Sequence, residues 1–208
     1  MTLKVKTLTV GPLESNCYIV YNQEEALIID PGAEGDRIAK TIEDLEVAPV
    51  AILLTHTHYD HIGAVDDTRD RYDLPVYVAA AEEDWLTTPS YNLSELQGDP
   101  VAAREADYLF EPDETVKIAN FEFKVVATPG HSPGGVSFIF EDGEFVITGD
   151  ALFAGSVGRT DLPGSEPEKL LKAVREKLFT LPKHYKIYPG HNGSSTIGEE
   201  LKSNPFFN

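Results

Sequence analysis

An α/β fold is predicted by three features of this 208-residue sequence. Short β-rich runs, separated by turn residues, open the chain. Strand-like and helix-like segments then alternate, as they do where helices cover a sheet. A second group of strand-like runs follows and ends in an amphipathic helix.

In order, the opening strands are "LKVKTLTV", "NCYIVYN" and "ALIID", divided by turn-like "GPLES" and "QEE". "PGAEGDRIAKTIEDLEV" reads as a turn and a helix, with Ile38, Ile42 and Leu45 at helical spacing. The unbroken apolar run "VAILLT" suits a strand covered on both faces. "IGAVDDTRDRYD" predicts a helix and "PVYVAA" a strand. Residues 81–113 break this rhythm, and a surface insertion with two helix-like pieces is expected there. The second piece is expected from Asp99-Pro100, an N-cap followed by proline at the first helical position. Strands then return in "ETVKIAN", "FEFKVVAT", "GVSFIFED" and "EFVITGD". The last two frame "EDGE", where Asp-Gly suits a tight hairpin turn. "EPEKLLKAVREKLFTL" places Leu170, Leu171, Val174 and Leu178 on one side of a helix. "KIYPGH" is expected as a last strand and "TIGEELKSN" as a last short helix. With no short-period repeat, low-complexity tract or linker, residues 1–208 are expected to form one domain.

Composition narrows the function classes. The 41% hydrophobic and 25% charged fractions are ordinary for a globular protein, and a chain this long buries roughly 70% of its unfolded surface without disulfide staples. Cys17 is the single cysteine, so no internal disulfide forms and a cytoplasmic location is expected. "MTLKVKTLTV" alternates like a strand and lacks the apolar core of a signal peptide. No run approaches the roughly 18 apolar residues of a membrane span. The net charge of −18 repels phosphate backbones and anionic membranes, so neither nucleic acid nor membrane is an expected partner.

"ILLTHTHYDH", residues 52–61, concentrates three of the six histidines. His56, His58, Asp60 and His61 leave the end of an apolar strand, where α/β proteins place their sites. A lone histidine is usually an ordinary structural residue. Four ligand-capable side chains in one turn point instead to a metal site, and imidazole with carboxylate suits zinc, iron or manganese. Three more candidates end apolar runs beside glycine: His131 in "VVATPGHSPGG", Asp150 in "FVITGDALF" and His191 in "KIYPGH". Glycine permits the tight turns that bring such loops together. His184, in polar "LPKHYK", is left out, and Cys17 is read as structural.

"THTHYDH" with His131, Asp150 and His191 resembles the metal-binding set of the metallo-β-lactamase fold, from about Asn16 to His191. The resemblance implies a four-layer αββα sandwich with the site at one edge of its two sheets. It also implies two ligand sets: His56, His58 and His131 around one ion, Asp60, His61 and His191 around the other, with Asp150 bridging. "TPGHSPGGVSF" and "TGDALF" resemble the glyoxalase II group, or hydroxyacylglutathione hydrolases, and "GSVGRTDLPG" is similar to its short members. The implied activity is hydrolysis of a small thioester, S-lactoylglutathione or a related acyl-thiol. The implied cofactors are two divalent metal ions, zinc foremost, with iron or manganese as alternatives. Asp60 is expected as a ligand that also orients the hydroxide.

The chain departs from full-length glyoxalase II in two places. The resemblance ends near His191, and the helical C-terminal domain with which glyoxalase II helps to hold glutathione is not expected here. "GRTDLPG" stands where that group carries a Lys and a Tyr that contact glutathione. Arg159 is the candidate substrate-binding cation there, and Asp161 its candidate ion-pair partner. A shallow, open pocket is therefore expected, with Trp85, Tyr91 or Tyr108 as candidate cover and Pro205-Phe206-Phe207 as an apolar anchor. Two other readings share the scaffold. A persulfide dioxygenase would hold a single iron through His56, His131 and Asp150, and has no need of all seven ligands. A non-catalytic metal-binding protein predicts a broken set, and none is broken here. The expected partner is a small-molecule thioester; oligomeric state is left open.

Overall fold

Side chains on a strand alternate between its two faces, and here both faces of the central strands are buried. The computed structural model describes residues 2–111 and 113–208; Pro112, within the expected insertion, and Met1 lie outside the described residues. A first sheet holds β1 (Lys4–Val10), β2 (Ser15–Tyr21), β3 (Glu25–Ile29), β4 (Ala48–Leu53), β5 (Val76–Ala79) and β6 (Tyr108–Phe110), side by side in chain order. Its first three strands are antiparallel and the rest parallel. The second sheet holds β7 (Glu114–Ile118), β8 (Phe121–Ala127), β9 (Val136–Phe140), β10 (Phe145–Gly149), β11 (Lys186–Pro189) and β12 (Ser195–Thr196), again as neighbours in chain order. It is antiparallel except for β10 and β11.

Tyr18, Val20, Leu27 and Leu53 of the first sheet meet Phe123, Phe138, Phe140 and Ile147 of the second in one buried cluster. The alternate residues Cys17, Ile19, Ile28 and Ile52 face Ile38 and Ile42 of α1 (Gly35–Leu45) and Val65, at the start of the helix Val65–Tyr72. On the far side, Ile139, Val146 and Ile187 pack against Leu170, Val174, Leu178 and Ile197 from the two C-terminal helical segments. The layers run helix, sheet, sheet, helix, as the resemblance implies. Between α1 and Val65–Tyr72, a one-turn helix α2 (Tyr59–Ile62) carries part of the histidine run, so Val65–Tyr72 is α3. The helix after β5 is α4 (Glu83–Thr87), and the C-terminal pair are α5 (Pro167–Ala173), widened into a π-helical turn over Val174–Leu178, and α6 (Ile197–Ser203). No helix among the described residues is long and apolar enough to cross a membrane.

One expectation is corrected. No helix starts at Asp99-Pro100; the second helical piece is a 3-10 turn over Ser94–Gln97. Tertiary partners claim the backbone groups that the helix would need. Val101 N–H donates to Ser94 Oγ at 2.9 Å, Val101 O accepts from Asn92 Nδ2 at 2.8 Å, and Ala103 N–H donates to Leu86 O at 3.0 Å. The stretch then ends in β6, which pairs with β5 as an edge strand. As expected, β9 and β10 form an antiparallel hairpin, through a four-residue turn over residues 141–144. Its left-handed residue is Glu144 (φ 54°), not Gly143.

Candidate metal centre

Every residue of the predicted ligand set leaves the C-terminal end of a strand. His56 and His58 follow β4, with Asp60 and His61 on α2; His131 follows β8, Asp150 follows β10 and His191 follows β11. These ends meet at one edge of the sandwich. Between Ile147 and Gly149 the β10–β11 register shifts, an irregularity of the kind that re-aims a side chain at a sheet's edge. Gly149 sits at φ 49°, where a Cβ would lie 2.5 Å from Thr55 Oγ1. Gly190 is tighter still: a Cβ there would fall 1.9 Å from Asp150 Oδ1.

The side chains form two groups, each able to offer three ligand atoms within 4.8 Å of one another: His56, His58 and His131, and Asp60, His61 and His191. His58 Nδ1 and His131 Nε2 are 2.9 Å apart. His191 Nε2 and His61 Nε2 lie 3.2 and 3.5 Å from Asp60 Oδ2. Asp150 stands between the groups. Its Oδ1 is 3.5 Å from His61 Nε2, and its Oδ2 is 3.4 Å from His131 Nε2 and 3.6 Å from His191 Nε2.

Hydrogen bonds on the outer nitrogens fix which ring atom faces inward. His131 Nδ1 donates to the Arg159 carbonyl at 2.8 Å and His191 Nδ1 to the Leu13 carbonyl at 3.1 Å. His61 Nδ1 donates to Asp30 Oδ2 at 3.0 Å. Thr55 Oγ1 donates to the same oxygen at 2.6 Å and so accepts from His56 Nδ1 at 3.1 Å. Each arrangement leaves Nε2 to face the centre. Buried His56 Nε2, His61 Nε2 and Asp150 Oδ1 have no hydrogen-bond partner among the described residues. Such orphaned acceptors are costly unless a cation or a proton meets them, so the donor set fits metal ions. His58 is the exception in its support. Its Nε2 is also buried without a partner, and the Trp85 ring packs 6.1 Å away.

Electrostatics divide the histidines by group. Burial, then neighbouring His131, holds His58 down to about 3. Burial, reinforced by the surrounding histidines, pushes His56 well below the ordinary value of 6.5. Both are neutral and able to ligate at pH 7. For His61, burial is outweighed by the carboxylates of Asp60, Asp150 and Asp30, which raise it to about 10. Burial likewise opposes ionisation of Asp60, yet His61 and His191 hold its carboxyl below the usual range. The acidic group therefore holds positive charge in this cavity, whether as a proton or as a metal ion.

Sequence reasoning missed the residues that brace this centre. Asp30, at the end of β3 and 1% exposed, accepts from Thr55 N–H at 2.8 Å as well as from Thr55 Oγ1 and His61. Its oxygens are fully engaged, so although Asp30 lies within ligand range of His56 and His61 it acts as a support. Glu82, fully buried, accepts from Thr57 N–H, Thr57 Oγ1 and Gly134 N–H at 2.7–2.8 Å and ties the β4 loop to the His131 loop. Asn16 ties β2 to the His191 loop, donating to Gly190 O, Pro189 O and Asn192 O. The legible signal for Asp30 was an acid closing "ALIID"; Glu82 carries none.

The other expectations sort cleanly. Arg159 lines the cleft above the histidines, but its guanidinium forms a two-pronged pair with Asp161 at 2.9 and 3.0 Å, both side chains exposed. His184 is exposed beside Glu144, and Cys17 is buried. None of the expected cover residues lines the cleft: Tyr108, in the edge strand β6, stacks on Tyr77, and Trp85 packs beside Tyr91; Leu93, Leu96 and Gln97 line it instead. Phe207 packs on Phe179 as the expected anchor, whereas Phe206 is half exposed.

The comparisons agree with this geometry. The chain is 44% identical to a probable metallo-hydrolase, YqgX, of Bacillus subtilis, over 99% of this chain and 98% of that protein. It is 34% identical to the hydroxyacylglutathione hydrolase GloC of Haemophilus influenzae, over 99% of each. Among solved structures, the BLEG-1 B3 metallo-beta-lactamase superposes with a TM-score of 0.96 at 40% identity, over 99% of this chain and all of that one. TTHA1623 in a di-iron-bound form does so with 0.86 at 36% identity, over 97% and 99%. The sequence profile of the metallo-beta-lactamase superfamily matches residues 10–191, which takes in every one of the converging histidines and aspartates. The chain belongs to the metallo-beta-lactamase superfamily.

Proposed function

We propose that this protein is a hydrolase of small thioesters with two metal ions. His56, His58 and His131 hold one, Asp60, His61 and His191 the other, and Asp150 reaches both. The observation that carries the reading is the pair of ligand groups with Asp150 between them, one oxygen 3.5 Å from His61 and the other 3.4 Å from His131. Likeness to GloC supports a thioester as the substrate class. The donor set suits zinc, and the di-iron relative makes iron the metal to test beside it.

Two divalent ions in such a centre supply hydroxide near neutral pH and Lewis acidity toward a carbonyl. The protein's own work is positioning. Asp30 fixes His61, the Arg159 carbonyl fixes His131, and the Leu13 carbonyl fixes His191, so the inward nitrogens are set before substrate arrives. Asp60 Oδ2, already ionised, orients the attacking oxygen by accepting its hydrogen. A C–O bond forms at the acyl carbon and the C–S bond breaks. The thiolate, with a pKa of about 8.5, leaves without a strong protein acid. The cleft over the centre holds about 170 Å³ and includes Leu13, Tyr59, Leu93 and Leu96, apolar walls for a small acyl group. A cytoplasmic location and a small-molecule partner, not nucleic acid, belong to the same reading, consistent with the charge of −18.

Metal analysis with a thioester panel tests it. Two ions per chain and turnover of at least one small thioester are expected. One iron per chain with oxygen uptake on a persulfide would instead make the protein a dioxygenase. The BLEG-1 likeness favours a second reading, hydrolysis of a β-lactam ring by the same centre. Hydrolysis of a chromogenic cephalosporin, measured beside the thioesters, separates the two.

A further inference from the structure

A second cavity adjoins the metal cleft. It holds about 580 Å³, within the 300–1,000 Å³ typical of small-molecule sites. Leu13, Tyr59, Asp60 and Gln97 border both cleft and cavity, so the two adjoin as the halves of a groove. Beyond the shared wall, Val10, Pro12, Ala33 and Val101 make the lining largely apolar. Its charged residues are acidic. Glu34 is already engaged by Arg37 and the Gly11 N–H, whereas Asp99 has no ion-pair partner among the described residues. Among the described residues, no Lys, Arg or His lines this cavity. In the cleft the sole Lys or Arg is Arg159, and Asp161 neutralises it in place.

We propose that this groove binds the thiol half of the substrate as an uncharged, chain-like amide rather than as a peptide thiol bearing free carboxylates. The proposal rests on the thioester reading above. A carrier such as glutathione, with two carboxylates against one ammonium, would bring net negative charge to a groove that, away from the metal centre, offers no unpaired Lys or Arg among the described residues, under the field of a chain with net charge −18. An uncharged chain of the pantetheine type offers apolar methylenes to Val10, Pro12 and Val101 and suffers no such repulsion. Volume agrees as well, because the cleft alone is too small for a carrier of that length and the two spaces together are not.

The test holds the acyl group constant and varies the thiol. Lactoyl thioesters of pantetheine and of glutathione are compared by steady-state kinetics on the metal-loaded enzyme. The pantetheine ester is expected to have a KM at least tenfold lower with similar kcat, because the reacting groups are the same. Asp99→Lys, which puts a cation in the groove, is expected to narrow that gap by severalfold. Equal KM values, or a lower one for the glutathione ester, overturn the proposal. Binding is read separately, with S-methylpantetheine and S-methylglutathione, whose capped sulfurs are poor metal ligands. The first is expected to perturb the amide resonances of Gly63 and Val101, and the second to do so only at much higher concentration. Turnover of thioesters without that perturbation sinks the groove assignment alone. Perturbation without turnover of any thioester keeps the groove and sinks the thioester reading.

Discussion

Asp150 stands within reach of both ligand groups, and its two oxygens point to different histidines. In the proposed two-ion centre its replacement would remove a ligand from each ion and leave buried imidazoles without their counter-charge. Asp150→Ala is expected to lower metal content and to cut kcat by at least 100-fold. Arg159→Ala is expected to change kcat little, since the guanidinium is exposed and occupied by Asp161; exposed pairs contribute only about 0–1 kcal/mol. Loss of turnover in Arg159→Ala with metals retained, measured by elemental analysis, would assign that arginine a different role. Asp30 makes a subtler case. It touches Thr55 and His61, and through Thr55 it steadies His56. Such supporting partners are worth roughly 10–100-fold in metal affinity. Asp30→Asn is expected to weaken metal binding by that factor in a chelator competition, while metal in excess restores most of the activity. The converging histidines and aspartates were legible in the sequence because imidazole and carboxylate at strand ends have few other uses in such density. Asp30 was not, because a single acid closing a strand looks like any turn residue.

The elements of the fold were legible wherever periodicity was strong. The "VAILLT" run, apolar on both faces, became parallel β4, and the run "EPEKLLKAVREKLFTL" became α5 with its π-helical extension. Between residues 81 and 113 local signals misled, because long-range contacts decide the backbone there. The Asp99-Pro100 start signal is real chemistry, but the Val101 backbone is held by Asn92 and Ser94 and cannot coil. The same stretch contains Glu82, whose carboxylate joins the loop after β4 in one sheet to the loop after β8 in the other. Glu82→Ala removes one acceptor and strands three donors, two of them backbone N–H groups. Hydrogen bonds to charged groups contribute about 1.5–3 kcal/mol each, although they do not add fully. A loss of about 3–5 kcal/mol in denaturant unfolding is expected for Glu82→Ala. Its metal affinity should fall too, because His58 and His131 lie on the loops that Glu82 joins. Stability within 1 kcal/mol of the parent would show that the two loops hold together without it.

At the scale of the whole molecule, the centre couples folding to protons and metals. In the metal-free protein the histidines pull in opposite directions. His58, held down to about 3, and His56, lower than the ordinary 6.5, bind fewer protons folded than unfolded. Their contribution to stability is complete above pH 6.5 and is lost as pH falls below it. His61 is the reverse. Raised to about 10, it stabilises the fold fully below pH 6.5, and that contribution is lost as pH rises through 10. The histidine-dependent stability of the metal-free protein is therefore greatest near pH 6.5. Metal ions reverse the alkaline side, because binding displaces the proton from His61 and grows tighter as pH rises. Ions at 100 times their dissociation constant add about 2.7 kcal/mol per site, which for a chain of this size is about 5–10 °C in Tm. The Tm difference between metal-loaded and chelator-treated protein is thus expected to be small at pH 5.5, about 5–10 °C for each occupied site at pH 7.5, and larger at pH 9. His61→Asn is expected to flatten the alkaline decline of the metal-free protein. Thermal melts across this pH range, with and without chelator, decide the matter: a difference that stays constant from pH 5.5 to 9 would mean that His61 carries no proton for the metal to displace.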